Sequence, residues 1–384
     1  MLKNLTGLRF YAALMVFLTH FVLFKYTFNL QDGPVFVFFE GMGAIGVSLF
    51  FVLSGFILTI NYAGPDAKPL NLKQFYLARF ARVYPVFFLT LLLASPIELL
   101  SGHPQNFWSL FIPNLFMVHC FYEGACGAIN PPAWSISNEF FFYLIFPFCA
   151  ILFLRQKAWA FPLVFLGCIA LVFAIQHFLP GTYWAHTTFP LNRVGEFLCG
   201  MLTGHIYGRV GGIIVWEGLA ARPWMKPLLY GTLAFFLGLM LAEPFFLNAG
   251  VFYLFFMIPG SLIILLLALA DKTSLSIPML SAPLVVLGGE ISYSFYMVHQ
   301  IIMRYVRHGL FVVFDVDLRQ FQTWQLLLMG LFWLALALGS AYLMYRYVET
   351  PCRNFLRSKL SGGIRKPQYK PAPDFFPQPG TQPT

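Results

Sequence analysis

Apolar residues fall into ten long runs, near residues 8–25, 43–61, 82–100, 134–154, 158–179, 194–209, 227–243, 245–270, 283–304 and 322–345. Each approaches the length an α-helix needs to cross a hydrocarbon core about 30 Å thick. A segment in lipid must satisfy its backbone polar groups internally, so the runs predict an all-α polytopic membrane bundle of about ten transmembrane helices. A further run, Phe107 to Phe121, is about fifteen residues long and contains Pro113. It is expected to be a re-entrant or interfacial segment, because an eleventh crossing there would invert the charge pattern downstream.

The basic residues support that count. If all ten runs cross, Lys3 and Arg9 share one side with the groups Lys68 to Arg82, Arg155 and Lys157, Arg209 to Lys226, Lys272, and Arg346 to Lys359. The other side keeps mainly Lys25, Arg193, Arg304, Arg307 and Arg319. Lys and Arg accumulate in cytoplasmic connections, so both termini are expected in the cytoplasm. No small-residue cleavage site follows the first run, which is expected to remain as a span.

Composition agrees. Of 384 residues 59% are hydrophobic and 10% charged, against about 25% charged in soluble domains. The net charge of +9 lies in short connections, where it signals topology and not a nucleic-acid partner. The six cysteines have no zinc spacing and no metal site is predicted. Cys149, Cys168 and Cys199 lie in spans as packing residues. Cys120 and Cys126 flank a short polar loop; whether they pair depends on the loop being extracytoplasmic, which the sequence leaves open.

Against this apolar background the polar residues inside spans carry the chemistry. Arg9 and His20 are eleven residues apart, about three helical turns, so with Ala13 and Val16 they share one face of the first helix, roughly 16 Å apart along its axis. Intramembrane ionisable groups are costly and usually face a bundle interior or aqueous pathway. The face is therefore read as lining a transverse cavity, with Arg9 holding an anionic ligand and His20 moving a proton; the plainer alternative is a snorkelling arginine and a structurally bonded histidine. Lys73, Arg79 and Arg82, with Tyr76 and Tyr84, form a basic and aromatic cluster suited to a phosphorylated ligand or to ordinary positive-inside anchoring.

In the fourth run, Trp134, Ser135, Asn138 and Glu139 come together, and Glu139 is expected at the outer membrane edge, placed to orient a histidine or a sugar hydroxyl. Arg193 and Glu196, three apart, are expected to pair. The stretch LGGEISYSFYMVHQ puts Ser292, Tyr296 and His299 on one face, with Glu290 and Tyr293 nearby; a structural hydrogen bond accounts for His299. In the second run, Gly46, Ser48, Ser54 and Gly55 are small enough for close helix packing.

These pieces in this order resemble acyltransferase family three, the integral-membrane acyltransferases that modify bacterial surface polysaccharides and other secreted acceptors. The resemblance covers Leu5 to Arg357 and rests on Arg9 with His20, GVSLFFVLSGF, RFARVYP, WSISNEFFFYLIFP, RVGEFLCGM, LGGEISYSFYMVH and YVETPCRNF. Thr6 and Ser48 stand where the family often has aspartate. The resemblance implies a catalytic base at His20 and binding of an acyl-CoA donor, acetyl-CoA foremost, by Arg9 together with Arg79 and Arg82; Glu139 is read from its position as orienting the base or the acceptor. Trp134, Ser135, Tyr293 and His299 are assigned to a carbohydrate or glycolipid acceptor. No permanently bound cofactor is expected. Residues 1–357 would form the acyltransferase domain in the bacterial inner membrane and residues 358–384 a disordered cytoplasmic tail. A non-enzymatic transporter or polysaccharide exporter, with His20, Glu139 and His299 relaying protons, is the competing class.

Overall fold

A computed structural model of the chain describes residues 2–23, 34–64, 70–100, 104–154, 160–179, 183–209, 223, 225–242, 249–272, 277–314 and 321–360. The expected tail beyond residue 360 lies outside the described residues. Within them the fold is all-helical: α1 (Lys3–Leu23), α2 (Pro34–Tyr62), α3 (Leu72–Leu99), α4 (Phe107–Leu115), α5 (Trp134–Leu154), α6 (Ala160–Phe178), α7 (Tyr183–Thr187), α8 (Pro190–Arg209), α9 (Met225–Ala242), α10 (Ala249–Lys272), α11 (Pro278–Ser281), α12 (Pro283–Glu290), α13 (Ser292–Phe314), α14 (Thr323–Met344) and α15 (Thr350–Leu360). A single π-helical turn, Tyr345–Glu349, joins the last two.

Within the described residues every predicted run is helical, the ninth being divided at Ile291 into α12 and α13. Among the described residues four helices are long and apolar enough to cross a membrane: Met42–Tyr62, Leu72–Leu99, Pro131–Ile151 and Trp324–Leu356. The run from Phe107 folds into α4, nine residues long. At roughly 14 Å that is under half a hydrocarbon core, so it does not cross as a helix. The chain then turns through Met117, with φ of 57°.

The hub is α2, 72% of whose apolar stretch is buried, against 28% for the stretch Trp324–Leu356 at the periphery. It packs against α1 and α8 through glycines that bring backbones into direct contact. A Cβ at Gly46 would meet the Ala12 carbonyl, one at Gly55 the Phe197 carbonyl, and one at Gly200 the Val52 carbonyl. This is the small-residue packing that substitutes in lipid for a hydrophobic driving force. The two serines of the same stretch have other partners, described below.

A buried ion pair fixes the same junction. The Arg193 guanidinium, 1% exposed, donates to both Glu196 oxygens at 2.8 and 3.0 Å, to Ser48 Oγ at 2.9 Å and to the Thr187 carbonyl at 3.1 Å. It also lies over the Phe51 and Trp134 rings, 5.4 and 5.6 Å from their centroids. One side chain thereby ties α8 to α2, α5 and α7. The N-terminus of α1 is fixed from elsewhere in the chain: Asp271 accepts the backbone N–H groups of Asn4 and Leu5 at 2.9 and 3.3 Å.

Removing one partner of a buried ion pair strands the other charge. Glu196→Ala is expected to cost about 3–5 kcal/mol, and Gly200→Ala about 1–3 kcal/mol by overpacking. Both would lower the unfolding midpoint of the detergent-purified protein, with Glu196→Ala the lower.

Candidate active site

The α2–α8 junction closes one wall of a cavity of about 810 Å³. Three arginines line it, Arg9 from α1 and Arg79 and Arg82 from α3, together with the carboxylate of Glu139 from α5. The i, i+3 spacing of Arg79 and Arg82 puts both on the cavity face of α3. Arg79 donates to the Tyr62 hydroxyl at 3.2 Å and lies over the Tyr62 and Tyr143 rings at 5.5 and 5.9 Å. Its Nε is buried without a partner among the described residues. Lys73 is exposed and does not belong to the lining. Tyr76 and Tyr84, the aromatic part of the expected cluster, donate instead to the Leu144 and Leu115 carbonyls.

Glu139 is anchored by two hydroxyls: Ser54 Oγ donates to its Oε1 at 3.1 Å, and so does Tyr143, one turn further along α5. It faces the arginines of the cavity. The preceding segment packs back against the bundle. Asn130 donates to the Met297 carbonyl at 3.1 Å and Pro131–Ala133 form a 3₁₀ turn, so α5 starts within the protein. Five residues of helix, roughly 7.5 Å, then carry Glu139 to the cationic cavity.

Another part of the lining comes from α13. Tyr296 belongs to it, its hydroxyl donating to the Pro132 carbonyl at 2.8 Å and accepting from Ser135 Oγ at 2.8 Å. Tyr293, also in the lining, donates to the Val83 carbonyl at 2.7 Å. Trp134 does not reach the cavity; its ring packs edge-on against Phe51 and beneath Arg193.

His20 and His299 are not part of the lining either. They form a pair beyond Tyr296, with His20 Nδ1 and His299 Nε2 2.9 Å apart and ring centroids at 5.0 Å. The Tyr296 ring links the two regions, for it faces the cavity and lies 6.1 Å from the His299 ring. Arg9 thus lines the cavity, whereas His20, on the same helix face, lies outside its lining and beside His299. The structural hydrogen bond expected for His299 is made to the Tyr296 carbonyl, and its other ring nitrogen meets a second imidazole.

Two groups near the site were not singled out from the sequence. Glu349, 2% exposed, accepts from Ser294 Oγ at 2.8 Å and lies close enough to Arg9 and Arg82 to act on both charges. Its signal was a carboxylate closing an apolar run, and the π-helical turn that swings it inward has no sequence signature of its own. His119 is buried beside the Cys120–Cys126 disulfide. Burial holds its imidazole well below the usual histidine range, at about 4, and therefore uncharged at neutral pH.

Comparison with known proteins accords with this geometry. A family model described as an acyltransferase domain matches residues 2–346. Acyltransferase MdmB of Streptomyces mycarofaciens is 31% identical over 388 aligned residues, covering 97% of this chain and 95% of that protein. Peptidoglycan O-acetyltransferase OatA of Listeria monocytogenes is 28% identical over 159 residues, 36% of this chain and 25% of that protein. No solved structure matches. With the family model spanning almost its entire length, the chain belongs to acyltransferase family three, and it is a membrane O-acyltransferase.

Proposed function

We propose that this protein moves an acyl group, foremost acetyl, from cytoplasmic acyl-CoA to a hydroxyl of an extracytoplasmic carbohydrate or glycoconjugate. The observation that carries the donor assignment is the cavity lined by three arginines against one carboxylate, Glu139. Guanidinium groups match phosphate oxygens bidentately, and a nucleotide-linked thioester brings several phosphates on one ligand. Arg9, Arg79 and Arg82 would hold them, with Arg79 Nε available as a further donor. Tyr62 and Tyr143 keep the Arg79 fork in place before the ligand arrives.

From there the pantetheine arm would run toward Tyr296, bringing the thioester to the edge of the His20–His299 pair. His20 is the proposed general base. A neutral imidazole accepts the acceptor hydroxyl's proton as its oxygen attacks the thioester carbonyl. Glu139, paired with Ser54 and Tyr143, is better placed to orient the arginines than to touch the base. Ser135, Tyr293 and Tyr296 present hydroxyls on the route from the cavity to the histidine pair. An acetyl donor and a cell-envelope carbohydrate acceptor are also in keeping with the relative named as a peptidoglycan O-acetyltransferase.

Topology completes the reading. Ten crossings, with both termini in the cytoplasm of the bacterial inner membrane, put the basic connections and Arg9 on the donor side. Residues 1–357 would form the catalytic membrane domain, and residues 358–384 a cytoplasmic extension.

The test is transfer or slow hydrolysis of labelled acetyl-CoA by the purified protein. His20→Ala is expected to leave the protein in the membrane and reduce kcat by about 100-fold or more; undiminished activity rejects the assignment. Arg79→Gln and Arg82→Gln should raise KM for acetyl-CoA by about tenfold or more each, since a charge-assisted contact is worth roughly 1.5–3 kcal/mol. The same variants should leave the unfolding midpoint within a few degrees of the parent. A green fluorescent protein fused after residue 360 should fluoresce in the cytoplasm, whereas an alkaline phosphatase fused there should be inactive.

A further inference from the structure

His299 sits in the interior of α13, fully buried, and its two ring nitrogens meet partners of different kinds. Nδ1 is 2.7 Å from the Tyr296 carbonyl oxygen. A carbonyl only accepts, so His299 Nδ1 carries a proton. In an uncharged ring that leaves Nε2 with the lone pair. Nε2 is the atom 2.9 Å from His20 Nδ1, and the proton between the two rings therefore belongs to His20, whose ring also meets the Val16 carbonyl one turn earlier in α1.

The consequence falls on the far side of His20. A general base must begin neutral, and a neutral imidazole holding its proton on Nδ1 has its basic lone pair on Nε2. We propose that His299 is a positioning residue that fixes the Nδ1–H tautomer of His20 and so makes His20 Nε2 the atom that takes the acceptor's proton. The inference rests on the general-base role proposed above for His20. It follows the logic by which an orienting acceptor holds a catalytic imidazole in serine hydrolases, with a second imidazole in place of the carboxylate.

The surroundings keep His299 from turning over. Its ring is bounded by Phe17, Phe295 and Tyr296, with centroids at 6.2, 6.0 and 6.1 Å. Tyr296 is itself held by Pro132 and Ser135. A flip of the His299 ring would turn a C–H toward the Tyr296 carbonyl and lose that hydrogen bond inside an apolar site. The chain Tyr296 carbonyl, His299 and His20 is thus directional, ending on one basic nitrogen.

The transfer balances through that atom. The acceptor O–H gives its proton to His20 Nε2 while the oxygen forms a bond to the thioester carbonyl carbon. The C–S bond breaks, and the departing CoA thiolate takes the proton from Nε2 and leaves as the thiol. Throughout, His20 Nδ1–H stays donated to His299 Nε2, so the imidazolium that forms is already solvated.

Two amide substitutions separate this role from simple packing. Glutamine at 299 is long enough to set its side-chain oxygen near the position of His299 Nε2, where it accepts from His20 Nδ1–H; asparagine reaches only the position of Nδ1. In detergent-purified full-length protein, His299→Asn is expected to lower kcat for acetyl transfer by about a hundredfold with KM for acetyl-CoA within about twofold, and His299→Gln to regain at least about tenfold of that loss. Equal losses in the two variants, a loss appearing in KM instead, or an unaltered kcat in His299→Asn would overturn the proposal. Unfolding midpoints identify a variant that fails to fold. If His299→Asn does, His299→Gln alone decides: kcat within about tenfold of the parent supports the role and a loss of about a hundredfold overturns it. His20→Ala in the same assay keeps the two readings apart, because full activity there removes the base itself, whereas an inactive His20→Ala beside a fully active His299→Asn removes only the tautomer role.

Discussion

Three guanidinium groups inside an apolar helical bundle are the constraint to which the rest of this protein answers. A charge withdrawn from water costs several kcal/mol unless it is paired and hydrogen-bonded, and Arg9, Arg79 and Arg82 converge on one cavity. The protein meets part of that cost with the Glu139 carboxylate, the Glu349 carboxylate behind Arg82, and the faces of Tyr62 and Tyr143. It does not meet all of it, for Arg79 Nε is buried with no partner among the described residues. A cavity arranged this way is costly when empty and favourable to an anion, which is how binding sites differ from stable cores.

Arg193 shows the contrasting solution. It too is a buried guanidinium, but its donors are met by Glu196, Ser48 and Thr187 and its faces by Phe51 and Trp134. That arginine holds helices together. Arg193 and Arg79 look alike in sequence and differ in how fully their donors are met. The junction beneath it relies on Gly55 and Gly200, where only a missing side chain lets α2 and α8 approach backbone to backbone.

Much of the fold was legible because lipid leaves so few options: each apolar run had to become a helix, and within the described residues each did. Pairs close in sequence were legible too. Arg79 with Arg82 and Arg193 with Glu196 follow from helical geometry and met as expected. Less legible was everything decided by distant partners. Glu139 was read with its neighbours on α5, whereas the arginines it meets come from α1 and α3. His20 and His299, 279 residues apart, were recognised separately as intramembrane histidines, and nothing local to either announced that they would bond to each other. Cys120 and Cys126, whose pairing the sequence left open, are joined. Glu349 escaped notice because a local change of helical pitch, not a residue pattern, turns it inward.

The anchorage of α1 bears on how the protein is assembled. A helix usually draws its first hydrogen-bond acceptor from the residue just ahead of it; here it comes from Asp271, at the end of α10, and Asn4 Oδ1 in turn accepts from the Ile277 N–H. During synthesis α1 therefore lacks this clasp until a segment some 270 residues further along the chain has been made. Until that moment the axial position of α1, and of the arginine and histidine it carries, is not yet fixed by this contact. The end of the helix that carries Arg9 is thus completed late, once α10 has been made.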